Sequence, residues 1–479
     1  MATNKLGPYS KYKFCDMPYV SSIPESWEVY RLGMIGRFSS SGIDKKSNKN
    51  EPSTKMANYL DVYNNERHIL DSKRTYMVVT APKDKINQHS LRLGEVLFTP
   101  SSETRHDIGW SAVVSEDLPD VVFSYHLTKF KSIIEIDLKF SKYFCNNFCV
   151  LSQFSRLCNG TTRYVLSRSD FRNTYVAIPP LKDQVKIGLY IDYKYNRINK
   201  YIRIKKRQIE LLKELKQVII SDAVTGKIDV HTGKPYSNYI DSGIEWMELV
   251  PKEWDLFRLK HISNIIRGKF SHRPRNDPSL YDGEFPFIQT GDIAQASKYV
   301  TTFHQTLNAK GFTVSKEFPK GTLTMTIAAN IGEVAILEFK ACFPDSIVGF
   351  VPYSFVSVDY LYYVFLAMKP ELIKQAPVNT QGNLNIERIS TLRVVLPQVD
   401  LQKDIVRYIE SRITNIDKSI EWVNNEIRKL KELRTRLISD VVTGKLDVRK
   451  VEVPDLPEDE LEPEFEPDEE LVEESLYAN

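Results

Sequence analysis

The chain lacks any long hydrophobic run. Its longest, Tyr360 to Met368, sits between Asp359 and Lys369 and is less than half of the roughly 20 residues that cross a bilayer as a helix, so no membrane span is expected. The N-terminal stretch MATNKLGPYSKYKF has no apolar segment of the kind a secretory leader needs, which predicts a cytoplasmic protein. Cysteine is sparse and odd in number. Cys15, Cys145, Cys149, Cys158 and Cys342 form no CxxC pair and have no histidine at ligand spacing, so disulfide and zinc frameworks are not expected and the thiols read as small core residues.

Catalytic signatures are missing as well. VTGK at 224–227 and 442–445 imitates a phosphate loop, but no glycine precedes it by five residues, and Ile228 and Leu446 stand where the loop needs Ser or Thr. These tetrads read as helix ends, not ATP sites. No GxGxxG, HExxH or Asn-Pro-Pro-aromatic tetrad occurs. Asp120, Asp137 and Lys139 loosely imitate a nuclease metal site, but they lie in only one of the two repeats described below and read as a chance pattern. No catalytic, metal or cofactor-binding residue is therefore assigned.

What is present is a globular composition, 42% hydrophobic and 27% charged over 479 residues, enough for two or three domains. The net charge of +3 hides an asymmetry. Thirteen acidic and no Lys or Arg residues follow Lys450, so residues 1–450 hold 65 basic against 49 acidic residues, a net +16. A basic body suits a polyanionic partner; the acidic tail (449–479) reads as disordered.

The chain is also written twice. Residues 179–230 return at 397–448 with an offset of 218, and Ser221-Asp222, Val224 to Lys227 and Asp229-Val230 match Ser439-Asp440, Val442 to Lys445 and Asp447-Val448. Upstream, an offset of 227 pairs Pro8-Tyr9-Ser10, Tyr12, Pro24, Trp27, Arg31 and Gly94 with Pro235-Tyr236-Ser237, Tyr239, Pro251, Trp254, Arg258 and Gly321. The first copy thus carries a net nine extra residues between Gly94 and Pro179. In the second helical region Ile409, Ile413, Ile416, Ile420, Val423, Ile427 and Leu430 form a heptad seam. The first holds Ile191, Tyr195, Ile198, Ile202, Lys205, Ile209 and Leu212 in the same register. Seams this narrow want a partner helix, and each is the other's nearest candidate. The runs GEVLFTP, SAVVSE, GTLTMTIAA and GEVAILEF read as strands. The expected fold is α+β: two mixed α/β domains (1–178 and 235–396), joined by long antiparallel coiled-coil helices (179–234 and 397–448) in a pseudo-twofold repeat.

With these anchors in place, residues 8–448 resemble the specificity subunits of type I restriction-modification systems. The resemblance rests on IPESWEVYRL and VPKEWDLFRL, FPFIQTGDI (285–293), GTLTMTIAANIGEVAIL (321–337), NTQGNLN (379–385) and the paired SDxVTGKxDV helix ends. It implies a noncatalytic subunit whose two target-recognition domains each read one half of a split, asymmetric site on double-stranded DNA, held apart by the helices as a ruler. It implies two methyltransferase subunits and restriction/translocase subunits as partners; S-adenosylmethionine, ATP and magnesium would be theirs. A DNA reader needs donors and acceptors at base edges and cations at phosphates. Candidate contacts in the second domain are Arg267, Lys269, His272, Arg273, Arg275, Asn276, Gln289, Thr290, Asn330, Gln381 and Asn383. In the first they are Lys45, Lys46, Asn48, Lys49, Lys55, Arg105, His106, Asn159, Thr161, Thr162 and Arg163. The competing reading is a coiled-coil protein-interaction scaffold without sequence-specific DNA binding.

Overall fold

In the computed structural model, which describes residues 6–45, 48–63, 65–328, 330–374 and 386–454, each strand-like region builds a five-stranded sheet. Two compact units result, Met1–Lys206 with Asn425–Asn479, and Arg207–Asn424. In the first, strands β1 (Gly36–Ser39), β2 (Ile69–Leu70), β3 (Val96–Phe98), β4 (Ser111–Val114) and β5 (Thr128–Ser132) lie in the order β1-β5-β3-β4-β2. In the second, β6 (Ser263–Arg267), β7 (Tyr299–Val300), β8 (Leu323–Thr326), β9 (Val334–Leu337) and β10 (Ile347–Pro352) lie in the order β6-β10-β8-β9-β7. Both sheets are antiparallel except for one pair at the same place, β4 with β2 and β9 with β7.

The central strands are apolar at successive positions because each sheet is covered on both faces. Val96, Phe98, Val113 and Phe130 join one core and Leu97, Ala112 and Val114 another; Leu323, Met325, Ile336 and Phe350 face one core of the second unit and Ala335, Leu337 and Ile347 the other. The pairing register aligns the repeats where their sequences have diverged. Val96 faces Val113 and Phe130 as Leu323 faces Ile336 and Phe350. The offset is therefore 227 at Val96/Leu323, 223 at Val113/Ile336, 220 at Phe130/Phe350 and 218 at Ile178/Leu396. The nine extra residues are spread over three connections, and the largest share falls between β3 and β4.

After the sheet the chain forms α1 (Phe148–Leu157) in the first unit, started by the Asn147 side chain accepting from Cys149 and Val150 N–H, and α3 (Val358–Lys374) in the second. A closing strand then returns to the domain entrance. Tyr175–Ile178 pairs with Glu28–Arg31, and Arg393–Leu396 with Asp255–Arg258, in equivalent register. The long helices follow, α2 (Leu181–Val224) and α4 (Val399–Val442).

The heptad seams are buried at Ile191, Tyr195, Ile198, Ile202, Ile409, Ile413, Ile416, Val423 and Ile427. In the first unit Arg434 Nη1 donates to Asn199 Oδ1 at 2.6 Å and Lys205 Nζ lies 2.8 Å from Glu426, so rising numbers on one helix meet falling numbers on the other. The Lys205 interruption is thus met by a carboxylate. In the second unit Lys216 Nζ lies 2.9 Å from Asp417 and His231 Nε2 3.4 Å from Asp404, again antiparallel.

Each helix ends at a left-handed glycine, Gly226 at φ 72° and Gly444 at φ 76°, a geometry that an L side chain adopts only at a cost. Each glycine also lies under a shelf. A Cβ on Gly444 would stand 2.3 Å from Pro24 Cδ, and one on Gly226 2.5 Å from Pro251 Cδ, with Trp27 and Trp254 behind. The Tyr12 hydroxyl donates to the Gly444 carbonyl at 2.9 Å, and the Tyr239 hydroxyl to that of Gly226 at 3.0 Å. Asp447 N–H donates to the Gly7 carbonyl as Asp229 N–H does to that of Lys234, both at 2.8 Å. The first domain thus closes on the end of the last helix, and the second on the end of the helix preceding it.

This geometry separates two kinds of glycine. Gly321 is left-handed too, at φ 83°, but has open space around it, so Gly321→Ala should cost only the backbone term of about 1–2 kcal/mol. Gly444→Ala should cost that plus displacement of Pro24, and a urea unfolding series should place its midpoint below that of Gly321→Ala.

Candidate nucleic-acid interface

Among the described residues, most predicted contacts fall at or after the first and third strands in both domains and, in the first domain, after the helix that follows the sheet. Among the described ones, His272, Gln289 and Thr290 are half-buried and the others are exposed. Lys46, Gln381 and Asn383 lie outside the described residues.

In the first unit Ser39 at the end of β1 and Phe98 at the end of β3 face Lys129 and Thr128 at the start of β5. The connections leaving β1 and β3 and the one entering β5 therefore share one end of the sheet. Ser41 Oγ donates to the Phe123 carbonyl at 2.5 Å and Tyr125 N–H to that of Ile43 at 2.9 Å, tying the loop of Lys45, Asn48 and Lys49 to the Tyr125–His126 turn. Asn48 N–H adds a bond to Thr80 Oγ1 at 2.6 Å. The loop bearing Arg105 and His106 meets the loop of Asn159, Thr161, Thr162 and Arg163 because Ser101–Ser102 pairs with Tyr164–Val165. Arg105 lies 5.2 Å from the centre of the Tyr164 ring, a cation-π contact. Burial, with the cations of Arg163 and Lys45 nearby, holds the His126 imidazole below its ordinary pKa. Lys45, Arg105 and Arg163 thus form one group, and among the described residues none of the three makes an ion pair. Lys55 stands apart, exposed on a separate three-stranded sheet of Ser53–Ala57, Met77–Thr80 and Val121–Phe123.

The arginine-bearing loop has an internal clamp. Asp107 accepts from the Tyr63 hydroxyl and, at 2.6 Å, from Trp110 Nε1. Trp110 stacks on His68 with ring centres 5.8 Å apart and planes 6° from parallel. Burial, with Lys142 and Arg434 nearby, pushes the His68 pKa down to about 3.

In the second unit Arg267 at the end of β6 faces Val348, and Thr326 at the end of β8 faces Ile347, so the same three connections again share a sheet end. Here the cations converge on one carboxylate. Asp345 takes Arg275 Nη2 on one oxygen and has Arg273 Nη2 3.8 Å from the other, while its backbone carbonyl accepts from Arg267 Nε at 2.7 Å. His272 Nε2 lies 3.0 Å from Asp277, whose carboxyl is held below its ordinary pKa mainly by the Ser279 N–H. Lys269 N–H donates to the Phe343 carbonyl, which keeps its side chain in the same loop; Asn276 follows Arg275 and is exposed. Asn330 projects from the loop after β8, fastened by Ile327 N–H to the Ser346 carbonyl at 2.9 Å. Gln289 and Thr290 are committed differently. Gln289 precedes the short helix Thr290–Gln295, its backbone N–H bonds Asp292, and its amide donates to Gln305 at 2.9 Å.

Tyr125, His126 and Asp345 were not among the predicted residues. At the offset of 220 that holds for β5 and β10, Asp345 aligns with Tyr125. Neither residue carries a motif, and only the strand register brings them to light. Among the described residues no group of His, Cys, Asp and Glu could hold a metal ion, and no helix is long and apolar enough to cross a membrane.

The His68 environment sets a pH dependence. Its folded pKa lies below the unfolded value of about 6.5, so the unfolded chain binds the extra proton and stability is lost as pH falls below that value. Between pH 6.5 and 5 the loss should be about 2 kcal/mol. His68→Asn, which suits the left-handed backbone at φ 53°, should remove that loss, so that its unfolding free energy changes less between pH 6.5 and 5 than that of the unaltered chain.

Comparison with known proteins adds the following. A sequence model of the type I restriction modification DNA specificity domain matches residues 24–211 and again 251–432. The putative type I restriction enzyme MjaX specificity subunit of Methanocaldococcus jannaschii is 21% identical over 443 residues, covering 90% of this chain and 96% of that one. The EcoBI specificity subunit of Escherichia coli is 22% identical over 315 residues, 62% of this chain and 63% of that one. A solved chain from work on complex assembly and conformational transition of the type I R-M system superposes with a TM-score of 0.66 at 17% identity, covering 88% of this chain and 99% of that one.

Proposed function

Since the chain belongs to the type I restriction-modification DNA specificity family, we propose that each of its two specificity domains reads one half of a split, asymmetric DNA site through the three connections at its sheet end. The observation that carries this is the repetition itself. Two sheets of one topology present unlike sets of cations and amides from equivalent connections: Lys45 after the first strand and Arg105 after the third in one, Arg267 and Arg275 at and after the first strand and Asn330 after the third in the other. Like frames suit the pseudo-twofold backbone of duplex DNA, and unlike contents permit an asymmetric sequence.

The chemistry of readout follows from the residue types. Guanidinium groups and side-chain amides make bidentate contacts to guanine and adenine edges, each contributing about 1–3 kcal/mol of discrimination. Lysines at phosphates add affinity without sequence preference. The chain supplies an address and no bond-breaking step. Methyltransferase subunits, with S-adenosylmethionine and a target adenine, and restriction/translocase subunits, with ATP and magnesium, would assemble on it in the cytoplasm beside the chromosome. The paired helices would set the distance between half-sites.

The first test is a titration of labelled duplex at increasing KCl. Binding should weaken steeply, the slope of log K against log salt being about −0.9 for each phosphate neutralised. A scaffold without DNA function would give no such slope. Exchanging residues 8–178 for the matching region of another specificity subunit, in cells with the cognate methyltransferase, should change one half of the methylated sequence and leave the other intact. Altered methylation in both halves would refute the two-reader layout.

A further inference from the structure

The two domains present their cations in different electrostatic states. Lys45, Arg105 and Arg163 of the first make no ion pair among the described residues, whereas Arg273 and Arg275 of the second are already engaged by the Asp345 carboxylate. Asp345 is partly open to solvent, its side chain 36% exposed beside Arg275 at 48% and Arg273 at 55%. A carboxylate offers a guanidinium nearly the same fork of oxygens that a phosphate does. It therefore occupies the partner position that a DNA backbone would otherwise take. Its place in the fold is not shared by the other domain, where Tyr125 stands at the aligned position.

We propose that Asp345 is a specificity-determining residue that latches Arg273 and Arg275 until DNA displaces it. On a random sequence the exchange of carboxylate for phosphate is close to neutral: one ion pair breaks as another forms, and the freed Asp345 is left facing a polyanion. Only when base contacts from the same loops add to the exchange does the latch open. The first domain has no equivalent cost, so it supplies most of the nonspecific grip, and the second supplies discrimination. Specificity is a difference between affinities, and a built-in competitor for the wrong partner widens it. This inference rests on the DNA-reading function proposed above.

The test uses the full chain and a labelled random-sequence duplex of about 30 base pairs, long enough to span two half-sites about one helical turn apart, titrated over a series of KCl concentrations. Asp345→Asn keeps the size of the side chain and removes its charge. It should bind the random duplex severalfold more tightly at low salt, with a slope steeper by about 0.9 to 1.8, one or two further phosphates. Adding Arg275→Gln to Asp345→Asn should remove roughly half of that gain. Unchanged or weaker binding by Asp345→Asn would overturn the latch and leave Asp345 a loop support. Hydrogen exchange on the unaltered chain gives a second measurement that does not depend on a variant folding. Random duplex should protect residues 101–110 and 159–165 and leave 267–276 as exchangeable as in free protein. Equal protection of all three segments would overturn the proposal. Absence of any salt-dependent binding by the unaltered chain would overturn the DNA-reading function and this inference with it, whereas normal binding with no response to Asp345→Asn overturns only the latch.

Discussion

Both units depend on the contact between a helix end and its shelf. At Gly444 and Gly226 the backbone turns left-handed, and the space where a side chain would stand is filled by Pro24 and Pro251. A tyrosine hydroxyl covers the glycine carbonyl from the side. These bonds are individually modest, of order 1 kcal/mol, but they join segments that are far apart in the chain. Tyr12 and Gly444 are separated by 432 positions. The sheet in each unit can pack only after the helix end arrives, because Ile438, Val441 and Val442 in one, and Ile220, Ala223 and Val224 in the other, are part of the same core as the sheet's inner face.

That fixed frame frees the opposite end of each sheet. Connections leaving the first and third strands differ in charge between the two domains, and those leaving the third differ in length as well. The extra residues between β3 and β4 enlarge the loop bearing Arg105 and His106, which Asp107 and Trp110 then brace. In the second unit the corresponding loop is short, and it is the arginines after β6 that are gathered, on Asp345 in the turn before β10. One architecture thus gathers cations in two ways, by aromatic stacking in one domain and around a carboxylate in the other.

Much of this was legible from the residues alone. The heptad seams, the helix ends and the four strand-like runs stand where periodicity and glycine place them, because each signal is local. The Lys205 break in the seam was visible, though its Glu426 partner was not, since that pairing depends on helix register. The equivalence of WSAVV with GEVAIL was invisible for another reason. Both strands are covered on two faces, so any apolar residue satisfies the sheet, and only the pairing of Val113 with Val96 reveals the match. Most of the described polar candidates stand in loops, while Lys55 and Arg267 stand in strands and Thr290 opens a short helix. The bond from Gln289 to Gln305 and the place of Asp345 beside two arginines depend on contacts between separate loops, which residue type alone does not disclose.

The division of the first unit between residues 1–206 and 425–479 has a consequence for biosynthesis. Domains generally form as units while the chain emerges N-terminus first. Here the earlier-made domain must wait on the ribosome for the final helix, whereas the later-made one finds its own helix end already translated. Order of completion is therefore the reverse of order of synthesis, and Tyr9, Trp27 and their neighbours stay uncovered through nearly the whole of translation.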